Sequence, residues 1–71
     1  MVMVKYRVIC DGQEVCTIYQ IFPKKKSPRG IRRHAMFIAE EYKKYGYKNV
    51  VVIYCGTNTF RDECHIIVAQ I

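Results

Sequence analysis

Six of the twelve Lys and Arg residues in this chain fall between Lys24 and Arg33, and no Asp or Glu lies among them. The order is Lys24-Lys25-Lys26-Ser27-Pro28-Arg29-Gly30-Ile31-Arg32-Arg33, followed by His34. A cluster of this kind attracts phosphate and other anions by charge. The same stretch reads as a helix start. Ser27 can cap a free backbone N–H, and Pro28 suits the first helical position because its missing N–H would be unpaired there.

These two readings conflict. A helix N-terminus carries partial positive charge and favours Asp or Glu, so each Arg in the first turns costs a few tenths of a kcal/mol, roughly. Gly30 adds about 1 kcal/mol of helix-propensity penalty relative to Ala. Local violations of this kind mark places where something else compensates. A bound anion would accept free N–H groups, oppose the dipole and neutralise the arginines, with Gly30 allowing close approach. The expected nucleic-acid or phosphate site is therefore Lys24, Lys25, Lys26, Ser27, Arg29, Gly30, Arg32 and Arg33. The expected partner is nucleic acid or a phosphorylated ligand. Six Tyr and three Phe offer stacking surfaces for unpaired bases. Lys5 and Arg7 would extend the patch if they lay on the same side.

Other chemistries have weaker support. The Cys and His residues are spaced Cys10-x5-Cys16 and Cys55-x8-Cys64-His65, without the close Cys pairs of structural zinc sites. Cys55 and Cys64 could approach across a hairpin, but one diagonal step off register, so all four Cys read as reduced thiols. Cys64 and His65 are neighbours on an expected strand and point to opposite faces, which does not suit thiol activation. Glu40-Glu41 and Asp62-Glu63 are adjacent pairs and read as solvated surface. The reading is a non-enzyme with no cofactor and no metal.

The elements that would position the basic segment follow from periodicity. Val2, Val4, Tyr6, Val8 and Cys10 alternate with Met3, Lys5, Arg7 and Ile9, as in a half-buried strand. Asp11-Gly12 suits a two-residue type I′ turn. That turn pairs Val8 with Val15, Tyr6 with Thr17, Val4 with Tyr19 and Val2 with Ile21. It places Cys16, Ile18, Gln20 and Phe22 on the opposite face. Ile31, Ala35, Ile38, Tyr42 and Tyr45, with Ala39 beside them, form a helical stripe. Glu40 and Lys44 form an i,i+4 pair, and Gly46 is the expected C-cap. Val50–Cys55 is an unbroken β-branched run, as in a central strand. Strands are expected at about 2–10, 13–22, 49–55 and 60–70, and a helix at about 28–45.

The fold class is thus α+β, ββαββ, read as one domain over 1–71. It is a four-stranded antiparallel sheet in order 2-1-3-4 with one helix on one face. One helix leaves the other face bare, so Ile18, Phe22, Met36 and Phe37 are the expected partner or dimer interface, and a homodimer is expected. The alternative function is a small protein-interaction module, an inhibitor or adaptor of the kind found in mobile elements, acting through exposed apolar surface. Early charges at Lys5 and Arg7 exclude a signal-peptide apolar region, and no apolar run has the length of a membrane span. A cytoplasmic protein with no membrane partner is expected.

Overall fold

The computed structural model describes residues Met1 to Ile71. It contains β1 (Val2–Cys10), β2 (Gln13–Phe22), α1 (Pro28–Lys44), β3 (Val50–Thr57) and β4 (Ile66–Gln70). The strands form one antiparallel sheet in the order β2-β1-β3-β4, and α1 packs on one face. No helix is long and apolar enough to cross a membrane.

The Asp11-Gly12 turn forms with positive φ at both residues, and Cys10 faces Gln13 across it. Asp11 also ties this turn to the approach to β3. Its Oδ1 accepts the backbone N–H groups of Lys48 (3.1 Å) and Asn49 (2.8 Å).

The pairing then departs from the simple alternation. Ile9 faces Glu14 while Val8 faces Cys16, so Val15 is an extra, bulged residue. The bulge moves every later β2 side chain to the other face. Val2, Val4 and Tyr6 face Phe22, Gln20 and Ile18, not Ile21, Tyr19 and Thr17. Cys16, Ile18 and Phe22 therefore join the core beneath α1, whereas Val15, Tyr19 and Ile21 are exposed.

α1 buries Ile31, Ala35, Ile38 and Ala39 against Val4, Tyr6, Val8, Val50, Val52 and Ala69. Tyr42 is half-buried and its hydroxyl meets Cys16 Sγ at 2.8 Å. That contact, then burial, pushes the Tyr42 phenol up to about 12. Tyr45, expected in the stripe, is exposed at the helix C-cap. Lys44 pairs with Glu41 at 3.3 Å, not with Glu40.

β4 begins at Ile66, so the residues from Asn58 to His65 are not strand. They contribute Cys64 to a small second cluster with Ile53 and Cys55, on the sheet face away from α1. Cys55 and Cys64 are joined by a disulfide, which corrects the reduced-thiol reading for this pair; Cys10 and Cys16 are free. Gly56 permits this arrangement. Its φ is +116°, and a Cβ there would lie 2.2 Å from the Thr59 carbonyl oxygen. Only glycine fits so close a backbone approach. Cys55 and Gly56 fall where the β1–β3 register shifts, so the chain bends there and the Arg61 N–H reaches the Cys55 carbonyl (3.1 Å).

Candidate anion-binding site

The basic segment begins where β2 ends and supplies the first turns of α1. Ser27 is the N-cap, in extended conformation, and Pro28 follows at N1. The Gly30 N–H donates to Ser27 Oγ (3.1 Å), and the Ile31 N–H donates to the Ser27 carbonyl (2.9 Å). The first turn contains no acidic residue. Lys24, Lys25, Lys26, Arg29, Arg32 and Arg33 are all exposed. The molecule has two side-chain ion pairs, Arg7–Glu14 and Lys44–Glu41, and neither involves these six cations.

The geometry revises how the segment would hold an anion. Ser27 has already taken the Gly30 N–H, and Pro28 has none to give. Arg29 keeps the free N–H of this turn. A Cβ at Gly30 would meet Lys26 Cδ at 3.3 Å and Ser27 Oγ at 3.5 Å. The space at Gly30 thus admits the Lys26 side chain rather than a ligand. The available binding groups are side-chain cations, not a nest of backbone amides.

Lys26 is anchored from below. Its Nζ lies 4.8 Å from the centroid of the Phe22 ring, a cation–π contact. Phe22 meets the His34 ring edge-on at 5.0 Å, and His34 Nδ1 lies 3.3 Å from the Tyr6 hydroxyl. Burial, then Tyr54, pushes the Tyr6 phenol up to about 12. Burial, and secondly the charge of Lys26, lowers the His34 pKa.

Beside this segment lies a groove of about 640 Å³. Val2, Pro28, Ile31, Ile66 and Val68 form its apolar surface, and Lys25, Lys26 and Arg32 its basic rim. Tyr54, Thr57 and Asn58 complete it, with the Tyr54 and Thr57 hydroxyls hydrogen-bonded to each other. Sequence reading did not find this groove. Its lining comes from the starts of β1 and β4, the end of β3 and the first turns of α1, and no local motif joins these.

Lys5 and Arg7 do not extend the patch. Both project from the face opposite α1, where Lys5 Nζ lies 5.9 Å from the Tyr19 ring centroid. Arg7 Nε bonds Glu14 Oε1 at 2.6 Å. That hydrogen bond, more than the charge itself, holds the Glu14 carboxyl below the usual range.

The expected interface residues are also dispersed. Phe22 is only 8% exposed and belongs to the core, and Ile18 and Met36 are half-buried against it. Phe37 alone of the four is openly exposed, at 64%. Apolar side chains that do reach solvent on the open sheet face include Tyr19, Ile21 and Ile67. No three His, Cys, Asp or Glu side chains converge in a metal-binding arrangement. The chain matches no family model, no curated protein and no solved structure.

Proposed function

We propose that this is a small non-enzymatic binding protein whose Lys24–Arg33 segment binds an anionic partner, nucleic acid or a phosphorylated ligand. One observation carries the reading. Six cations are gathered around one helix start, exposed, with no carboxylate paired to any of them. Their mutual repulsion and their opposition to the helix dipole are relieved when phosphates occupy the space between them. Binding of labelled single- and double-stranded oligonucleotides across a salt series tests it. Tight binding at low salt that weakens steeply as salt rises is the expected result. No binding of either form at low salt refutes the nucleic-acid reading.

A second reading rests on a different observation. Tyr19, Ile21 and Ile67 leave apolar surface on the face away from α1, and the outer edge of β2 is unpaired. A second copy of the chain is the occupant proposed for that face. Sedimentation over a concentration range, with Tyr19→Ser and Ile21→Ser together as the control, distinguishes dimer from monomer.

A cytoplasmic location belongs to the proposal, and the Cys55–Cys64 bond stands against it. Structural disulfides persist mainly in oxidising compartments. Thiol trapping during cell fractionation decides between the two.

A further inference from the structure

We infer that the groove beside the basic segment is a pocket for a single nucleotide unit, with the base against the apolar surface and the phosphate on the rim. The inference rests on the anion-binding reading and gives it a chemical class. The volume of about 640 Å³ lies in the range of small-molecule sites, which run from about 300 to 1,000 Å³.

Three properties of the lining select the ligand. Lys25, Lys26 and Arg32 stand at the rim, and no acidic residue lines the groove, so the ligand carries negative charge. Pro28, Ile31, Ile66 and Val68 offer apolar surface, so its body is largely apolar on its faces. A free phosphate would leave that surface unused.

The remaining wall is polar. Asn58 Oδ1 already accepts the Met3 N–H (3.0 Å), which leaves the Asn58 amide NH2 without a protein partner. The Thr57 and Tyr54 hydroxyls share one hydrogen bond, which leaves one O–H and further acceptor capacity to spare. An aliphatic chain would strip water from these groups and return nothing. The edge of a nucleobase offers them donors and acceptors, while its faces suit the apolar surface. One nucleotide unit meets all three demands.

The pocket also separates two sets of cations. Lys25, Lys26 and Arg32 line it, whereas Arg29 and Arg33 do not. The first set would contact the phosphate of the bound unit. The second would contact only neighbouring phosphates of a longer strand.

The test is NMR titration of the whole chain, with methyl signals of Ile31, Ile66 and Val68 as reporters. The ligands are adenosine and uridine monophosphate, inorganic phosphate, decanoate and a short single-stranded oligonucleotide. The inference expects either mononucleotide to shift the groove methyls. It expects phosphate alone to leave them in place. Lys25→Gln/Lys26→Gln/Arg32→Gln should weaken mononucleotide binding about tenfold or more. Arg29→Gln/Arg33→Gln should weaken oligonucleotide binding more than mononucleotide binding, since neither residue lines the groove.

If the oligonucleotide binds but the groove methyls stay fixed with every nucleotide ligand, the pocket is overturned and the basic segment stands as a surface site. If decanoate shifts the methyls and the mononucleotides do not, the ligand class is overturned. If neither oligonucleotide nor mononucleotide binds, both readings fall together.

Discussion

The two faces of the sheet are closed by different means. On one, a 17-residue helix seals a cluster of twelve buried residues. On the other, a loop contributes Cys64 to a cluster of three with Ile53 and Cys55, and a disulfide ties that loop down. The first face is closed by packing alone. The second buries too little apolar surface to hold an irregular segment unaided, and a covalent link supplies the constraint. The difference also sets out the functional surface. The helix that closes the first face brings six cations without a carboxylate partner to one end, while Arg7 on the second face is paired with Glu14.

Removing the central side chain of the helix-covered face should have the largest effect. Tyr6 is fully buried, and Tyr6→Ala should cost about 3 to 5 kcal/mol by chemical denaturation, unfolding the whole chain. A loss below about 1 kcal/mol would mean that this face is not the principal core. The second face should respond differently. Cys55→Ser/Cys64→Ser should lower stability by about 2 to 3 kcal/mol, the scale expected for so short a closed loop. Hydrogen exchange should accelerate mainly from Asn58 to His65 and leave α1 comparatively protected. Equal loosening of α1 would erase the proposed contrast.

At the junction of core and basic segment the effects are smaller. Ser27→Ala removes the cap on the Gly30 N–H and should cost about 1 kcal/mol. His34 gives a pH signature. Its folded-state pKa is lowered by burial and then by Lys26, so the folded protein favours the neutral ring. The unfolded chain takes up the proton first as pH falls below about 6.5. Stability should therefore be complete above that pH and decline as pH drops toward the folded-state pKa. His34→Gln should flatten the part of the melting-temperature profile that falls away below about pH 6.5. An unchanged profile would show that His34 is not the titrating group.

The Asp11-Gly12 turn and the helix start at Ser27-Pro28 were legible in the sequence because each has a local signature, and the strand order followed from the ββαββ element order as the simplest antiparallel arrangement. The face of β2 was not. Cys16, Ile18 and Phe22 are about as apolar as Val15, Tyr19 and Ile21, so a one-residue bulge exchanges two similar faces and alternation cannot choose between them. The missing start of β4 had a visible sign in Asp62-Glu63, which alternation from Phe60 onward concealed. At the site, the cations were evident by type and spacing. What Gly30 does was not, because it depends on where the Lys26 side chain lies. The groove was out of reach, since Val2, Tyr54, Ile66 and Val68 meet only once the sheet has formed.

The central claim is that the position of these charges matters, and not only the net charge of +6. The most direct test compares two variants that each remove three cations. Arg29→Ala/Arg32→Ala/Arg33→Ala acts at the start of α1. Lys43→Ala/Lys44→Ala/Lys48→Ala acts at and just beyond its other end. Single-stranded oligonucleotide affinity is measured for each across a salt series. The account predicts that the arginine variant loses most of its affinity, with a log–log salt slope shallower by about 2, while the lysine variant stays close to the unmodified chain. Equal losses in the two variants would contradict it, and would reduce the basic segment to its share of the overall charge.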